Sequence, residues 1–403
     1  MKRICLLLLL CVLLLAVGAA CAQTAEDITA LCALRAPGTS QLGCLSDHNY
    51  KTRWASSSGA RARLEITAPE GQTIGGVYIQ FYNSPCAFDV QARGADGAYT
   101  TVASCDTDYL TGYARLPEGA EAIIVRPQGN GNRLILAEAR VFSEGDAPDW
   151  VQQWEPPLEK ADLLVISAHP DDEILFMGGT IPYSAGERGL AVQVAYLVPA
   201  TPYRRLELLD GLWVCGERNY PDLGSFPDRY VTSLKGMYNQ EGWSRDRVMR
   251  HVTGLFRRYQ PEVVVTHDVN GEYGHGAHKV AADAARQCVQ YAADPSFQHR
   301  NLEEKEPWQV KKLYLHLYEE GALRMDWRKP LDAFGGKTAF DIAEAAFACH
   351  ISQQKTEYKV EDFGPYDNAR FGLAFSTVGE DVEKNDFFEN LTGTGNKRLT
   401  GAE

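Results

Sequence analysis

Residues 161–173 read ADLLVISAHPDDE, and the rest of the chain is organised around them. Leu163, Leu164, Val165 and Ile166 form an unbroken apolar run, closed by Ser167, Ala168 and then Pro170. Such a run is how a strand buried on both faces of a parallel sheet reads. His169, Asp171, Asp172 and Glu173 follow, one imidazole and three carboxylates within five residues. In open α/β sheets, sites form at the carboxyl ends of strands. Imidazole with carboxylate is a ligand set that suits Zn²⁺ or a similar divalent ion. The same residues also read as an acidic turn capping a helix, because aspartate is a good N-cap. This stretch alone leaves both readings open.

A second loop decides between them. Val263, Val264 and Val265 form another buried-strand run, which leads into THDVNGEYGHGAH at residues 266–278. His275 and His278 are three apart, so a helix beginning near Gly274 carries both on one side of its first turn. A lone His-x-x-His is a weak signal, since histidines at helical spacing often pack or cap. Two such loops at matching strand ends favour a metal site over an acidic cap.

Strand and helix signals alternate around these loops. Helices are predicted at 174–188, 204–216, 245–259 and 276–293, and further strands at 191–198, 262–266 and 311–318. Leu206, Leu209 and Trp213 share one face of the second helix, and Pro261 stops the third. Alternation of this kind predicts a mostly parallel sheet with helices on both faces. Residues 219–242, rich in Gly, Pro and aromatics, read as a substrate-lining loop or a surface insertion. No G-x-G-x-x-G follows the opening strand, which disfavours a dinucleotide site.

The N-terminal part differs. Residues 30–144 lack helical periodicity and alternate short apolar runs with Gly, Pro, Asn, Asp and Ser, the pattern of an all-β sandwich or jelly roll. Residues 146–160, with Pro148, Pro156 and Pro157, read as a linker. Lys2 and Arg3 precede an apolar run from Ile4 to Val17 and then small residues, so residues 1–22 read as a secretory signal. Cleavage after Ala22 and lipidation of Cys21 are the two processing routes, and the apolar run is short for a membrane span. In an exported chain the even set Cys32, Cys44, Cys86 and Cys105 permits a disulfide framework. Cys215, Cys288 and Cys349 read as buried free thiols. A formal net charge of −13 with no like-charged block disfavours nucleic acid or an anionic membrane surface as partner.

Ala168-His169-Pro170-Asp171-Asp172-Glu173, with Gly271-Glu272-Tyr273-Gly274-His275 and His278 downstream, resembles the LmbE/PIG-L family of metal-dependent de-N-acetylases. Arg204-x-x-Glu207 and His350-x-Ser352-Gln353 add weaker likenesses, and together they cover residues 161–354. The resemblance implies a Rossmann-like α/β domain at residues 161–390. It implies Zn²⁺, or another divalent transition metal, held by His169, Asp172 and His278, with Asp171 as general base. Spacing alone leaves open which aspartate binds and which moves the proton. It further implies His275, as an imidazolium, and Tyr273 at the developing oxyanion. Glu173 would support the ligand loop, and His350 would either meet substrate or pack.

Leu45-Ser46-Asp47, Thr52-Arg53-Trp54, an Ile-Gly-Gly turn at 74–76 and Leu136-Ala137-Glu138-Ala139-Arg140-Val141 resemble a discoidin (coagulation factor 5/8 C-type) domain, placed at residues 27–145. That likeness implies a galactose-binding-like jelly roll, glycan-binding loops and a structural Ca²⁺ bordered by Asp47. Trp54 reads as a core residue supporting the loop in preference to a sugar-stacking surface.

The expected protein is thus an extracytoplasmic hydrolase, secreted or lipid-anchored at a bacterial surface. It would remove N-acetyl groups from amino sugars of a glycoconjugate or polysaccharide, with an appended glycan-binding module. An amidase on a non-sugar N-acyl substrate, and a glycan-binding protein with a degenerate α/β domain, are the alternatives. Residues 391–403 are expected as a flexible tail.

Overall fold

The structure, a computed structural model, describes residues 23–129, 131–297 and 305–391. The expected signal segment and nearly all of the expected tail lie outside these residues. The chain divides into two compact units, Met1–Val151 and Gln152–Glu403.

The first unit is β-rich. Its strands are β1 (Ala33–Arg35), β2 (Trp54–Ala55), β3 (Leu64–Thr67), β4 (Ile74–Phe81), β5 (Phe88–Arg93), β6 (Tyr99–Cys105), β7 (Thr111–Ala120), β8 (Ala122–Pro127) and β9 (Ile135–Phe142). They form a five-stranded sheet in the order β1-β3-β8-β5-β6 and a four-stranded sheet in the order β2-β9-β4-β7. All pairings are antiparallel. In β3 the buried Leu64 and Ile66 alternate with the more open Glu65 and Thr67, as a half-solvated strand should. At Gly76 an added Cβ would lie 2.5 Å from the Tyr113 hydroxyl, so glycine is what lets that ring lie across β4. Trp54 is 2% exposed, and its indole N–H donates to Thr39 Oγ1 at 3.1 Å, which makes it a core residue. The disulfide framework that the cysteine count permits is not formed. Cys32, Cys44, Cys86 and Cys105 are free. Burial pushes the thiols of Cys32 and Cys105 up to about 11, and a neutral thiol is the unreactive form.

The second unit runs β10 (Leu163–Ser167), α1 (Asp172–Leu175), β11 (Val192–Tyr196), α2 (Pro202–Val214), β12 (Asp222–Leu223), α3 (Leu234–Tyr238), α4 (Arg245–Tyr259), β13 (Val263–Thr266), α5 (Gly276–Ala293), β14 (Lys312–His316), β15 (Ala322–Arg324), α6 (Ala339–Ala348) and β16 (Arg370–Ser376). Its mixed sheet has the order β12-β11-β10-β13-β14-β16-β15. The β12 to β14 pairings are parallel, and β16 pairs antiparallel with both β14 and β15. β10, β11, β13 and β14 are buried at every residue, which explains the apolar runs of β10 and β13 and the largely apolar β11 and β14. α4 buries Val248, Met249, Val252, Leu255 and Phe256 in one core with Val280, Ala281, Ala284, Ala285 and Cys288 of α5. Among the described residues no helix is long and apolar enough to cross a membrane.

Two local expectations need correction. The helix predicted at 174–188 is broken: α1 ends at Leu175, and a π-helix covers Pro182–Glu187. Gly178 has φ +50°, and a Cβ there would meet Asn368 at 2.6 Å. A Cβ on Gly179 would meet Ala339 at 2.6 Å. The chain therefore turns where only glycines allow such contacts. Cys349 is half-buried, whereas Cys215 and Cys288 are buried as expected.

Candidate active site

Register brings the two loops together. Leu163 pairs with Val263 and Val165 with Val265, so β10 and β13 end side by side. β14 lies on the far side of β13, with Leu315 opposite Thr266, and delivers His316 to the same edge. At the start of α1, Asp171 adopts φ +103°, a conformation uncommon for a side-chain-bearing residue. The turn sends the two adjacent carboxylates to different partners. Asp171 Oδ2 lies 3.1 Å from the Arg204 guanidinium of α2. Asp172 Oδ2 accepts from the His169 backbone N–H at 2.8 Å and lies 3.0 Å from His169 Nδ1 and 3.2 Å from His278 Nε2.

Behind the imidazoles sits Glu272, which is fully buried. Its Oε2 accepts from His267 Nδ1 at 2.8 Å and His278 Nδ1 at 2.7 Å. Its Oε1 lies 2.6 Å from His316 Nδ1 and accepts from the Asp268 backbone N–H at 3.2 Å. Burial would raise Glu272, but His267 and its neighbouring imidazoles hold it well below the usual carboxylate range. Asp172 behaves alike: burial opposes its charge, and His278 and His169 hold it well below the usual range. Burial alone would lower His278, yet Asp172 and Glu272 on its two sides carry it up to about 10.

Ligand atoms of His169, His275 and His278 lie within 4.8 Å of one another, as do those of Asp172, His267 and His278. Hydrogen-bond accounting separates these candidates. His267 Nε2 already accepts from the Ala168 backbone N–H at 2.9 Å, so its lone pair is spent. His275 Nδ1 accepts from the Ala277 N–H at 3.2 Å as the N-cap of α5, which leaves the proton on Nε2. His278 spends Nδ1–H on Glu272, and its Nε2, 3.2 Å from Asp172 Oδ2, is the nitrogen that an ion would take in place of a proton. His169 Nδ1, His278 Nε2 and Asp172 Oδ2 therefore remain. Donor atoms 2.0–2.2 Å from a shared tetrahedral ion stand roughly 3.3 Å apart, so separations of 3.0 and 3.2 Å fit such an ion.

The other expected residues fall as follows. Tyr273 adopts φ +42°, and its hydroxyl lies 3.3 Å from His278 Nε2. Burial, reinforced by Asp172 and Asp171, pushes that phenol up. Burial, with His169 and His278 nearby, pushes His275 down to about 3, so this ring is neutral and not the expected imidazolium. Glu173 Oε2 accepts from the Asp171 N–H at 3.0 Å and from Ser167 Oγ at 3.3 Å, bracing the loop. Burial pushes its carboxyl up to about 7. Burial pushes Asp171 well above the usual range, with Arg204 opposing and Asp172 and Glu173 adding to the rise.

His350 is fully buried with neither ring nitrogen partnered, and it does not line the site cavity. Asp47 is in the first unit, where its Oδ1 accepts from Asn49 N–H at 3.0 Å and its Oδ2 from Thr52 Oγ1 at 2.9 Å. The neighbouring buried Glu138 is ion-paired with Arg140 at 3.0 Å. Ca²⁺ takes six to eight oxygens. Here the carboxylates are satisfied by an amide, a hydroxyl and a guanidinium, so the donor set does not fit that ion.

A cavity of about 280 Å³ opens onto His169, Asp171, Asp172, Tyr273 and His275, with Asp228 and Tyr230 from the 219–242 connection on its wall. Sequence reasoning gave no role to His267, Glu272 or His316. His267 and Glu272 lie in the second loop and a buried carboxylate among histidines was their signal; His316 had none.

A carboxylate shared by two imidazole nitrogens, with a second carboxylate next to the cavity, is the equipment of a metal-dependent hydrolase. The family described as PIG-L: GlcNAc-PI de-N-acetylase matches residues 164–289. The chain is 31% identical over 211 residues to 1D-myo-inositol 2-acetamido-2-deoxy-alpha-D-glucopyranoside deacetylase of Streptomyces avermitilis, covering 44% of this chain and 70% of that protein. It is 28% identical over 289 residues to the enzyme of the same name from Rhodococcus erythropolis, covering 57% of this chain and 97% of that one. The solved N,N'-diacetylchitobiose deacetylase of Pyrococcus horikoshii is similar at 21% identity and TM-score 0.35, over 49% of this chain and 72% of that chain. The chain belongs to the PIG-L family, whose members are metal-dependent N-deacetylases.

Proposed function

We propose that this protein hydrolyses the acetamide of an N-acetylglucosamine unit in a glycan or glycoconjugate, using Zn²⁺ held by His169, Asp172 and His278. The carrying observation is that Asp172 Oδ2 lies 3.0 Å from His169 Nδ1 and 3.2 Å from His278 Nε2. The names of the two curated relatives support the sugar. Bound there, the ion supplies Lewis acidity to the amide carbonyl and acidifies water.

The chain's own residues do the rest. Asp171 takes the proton of the attacking water and returns it to the leaving amine. Arg204 orients the Asp171 carboxylate at 3.1 Å and opposes the rise in its proton affinity that burial imposes. His275, neutral and protonated on Nε2, donates to the oxyanion, and Tyr273 donates beside it. Glu173 holds the backbone of Asp171, and His350 packs against Phe347 beside Gly211 of α2. Acetate and a free amine leave.

The wider reading has a Rossmann-like catalytic domain at residues 161–390, a linker at 146–160 and a discoidin-type jelly roll at 27–145 that retains the enzyme near glycan. The signal at residues 1–22 directs it outside the cytoplasm, secreted or lipid-anchored. Metal analysis of the purified protein, beside acetate release from N-acetylglucosamine oligomers, tests the core of this. A protein with neither bound nor activating divalent metal overturns it.

A further inference from the structure

A second cavity, of about 590 Å³, lies along α4. Arg247, Arg250, His251 and Arg258 line it from that helix, Lys305 adds a fourth cation, and Asp222 is the one carboxylate among its lining residues. Asp246, one turn back on α4, pairs with Arg250 at 2.7 Å, so four cations face two carboxylates, an excess still opposite in sign to the chain's net charge of −13. Residues 247, 251, 254 and 258 are spaced by three and four, so they form one stripe of the helix.

The stripe is ordered. Arg247 donates to Gly242 O at 3.0 Å and to Ser225 O and Oγ at 3.1 and 2.9 Å, and its guanidinium stands 4.8 Å over the Phe226 ring. Arg258 lies 3.3 Å from Asp222 Oδ2. Beneath them His251 meets Phe226 edge-on, and its Nε2 is shielded from solvent with no hydrogen-bond partner. Burial holds this imidazole below its ordinary value. An unpaired buried polar nitrogen is costly, and a hydrogen-bonding group of a ligand would satisfy it. Guanidinium forks match carboxylate and phosphate oxygens in geometry.

One segment reaches both cavities. Ser225 and Phe226 line this one, while Asp228 and Tyr230 line the catalytic cavity. Two residues span at most about 7 Å, so a polymer following this segment could reach both.

We propose that the α4 cavity binds an acidic substituent, a carboxylate or a phosphate ester, of the same glycan whose acetamide reaches the metal centre. This rests on the deacetylase reading above. The enzyme then prefers an anionic N-acetylated polymer to a neutral one.

Titration calorimetry with the full-length, metal-loaded chain carrying Asp171→Asn tests it, using a hyaluronan hexasaccharide, a neutral chitin hexasaccharide and inorganic phosphate alone. The acidic hexasaccharide should bind about tenfold or more tighter than the neutral one at low salt, with the gap shrinking as salt screens the charges. Arg250→Gln with Arg258→Gln should abolish the gap. His251→Phe, which keeps the packing against Phe226, should narrow it. Both changes, placed in the chain that retains Asp171, should leave acetate release from the chitin oligomer unchanged, which certifies the fold. If phosphate alone competes with the acidic oligomer, the phosphate arm is supported; if only hyaluronan binds, the carboxylate arm is. Equal binding of acidic and neutral oligomers by the Asp171→Asn chain, with or without the double change, overturns the cleft. Anion binding with no acetate release from any oligomer overturns the deacetylase reading and leaves the anion site standing.

Discussion

The loops after β10 and β13 meet at one point but are held in opposite ways. The first supplies carboxylates, and backbone amides and an arginine hold them: Asp172 takes the His169 N–H, Glu173 takes the Asp171 N–H, and Asp171 faces Arg204. The second supplies imidazoles, and one carboxylate, Glu272, takes a ring nitrogen from each of three histidines. Charge stability follows the partners. Asp172 and Glu272, ringed by imidazoles, are held well below the usual range. Asp171 and Glu173, away from the ring, are pushed up by burial. Neighbours in sequence therefore divide into an anion held charged by imidazoles and a carboxyl whose proton affinity burial raises.

The strongest way to break this division is at its two poles. His278→Ala should remove the metal and with it activity, whereas Asp171→Asn should keep the metal and lose roughly 10²–10⁴-fold in acetate release. Metal content measured beside turnover separates them; loss of metal in Asp171→Asn would erase the distinction. Next is Glu272→Gln, which leaves three imidazoles without their shared anion. Metal affinity should fall about 10–100-fold, and stability by about 3 kcal/mol, read by chelator competition and denaturant melts. Glu173→Gln should cost less on both scales, since the amide oxygen can still accept from Asp171 N–H.

Arg204→Met probes the first loop alone. Arg204 lowers the proton affinity of Asp171, so its removal raises that affinity further. The base must be charged to act, so the acid limb of the kcat profile should move to higher pH, with kcat about tenfold lower at neutral pH and metal content unchanged. A profile shifted to lower pH would contradict the pairing. The smallest effect concerns a buried carboxylate with no imidazole. Burial pushes Glu217 up to about 8 against an ordinary 4.5, and its Oε2 has no partner. Its folded-state value is raised, so its contribution is full below 4.5 and fades as pH rises toward about 8. Glu217→Gln should flatten the fall in stability over that window and gain on the order of 1 kcal/mol at its upper end, measured by melts across pH.

Much of this was legible in the chain itself. The valine and leucine runs announce buried strands, and α4 and α5 begin and end where periodicity, Pro261 and the Gly276 turn put them. Asp171, Asp172, His169, His275 and His278 do converge, because both loops leave neighbouring parallel strands. What stayed hidden depends on long-range partners. His267 reads as one more loop histidine until the Ala168 N–H, 99 positions away, is seen to occupy its lone pair. His316 ends a strand with no motif around it, and only the β13–β14 register brings it to Glu272. The break after Leu175 was signalled by Gly178, Gly179 and Pro182, but the contacts that require those glycines come from Asn368 and Ala339. The burial and the neighbouring imidazoles that push His275 down are likewise long-range features that the sequence does not display.

Glu272 also sets how portable this chemistry is. Its partners come from the end of β13, the first turn of α5 and the end of β14, while the remaining ligands come from the loop after β10. A designer who transplanted only the HPDDE loop and the His-x-x-His turn would carry the ligands without the post they lean on. The smallest unit that can be grafted onto another scaffold is a slab of three adjacent parallel strands with one helix. That slab, rather than any loop motif, is the module to copy.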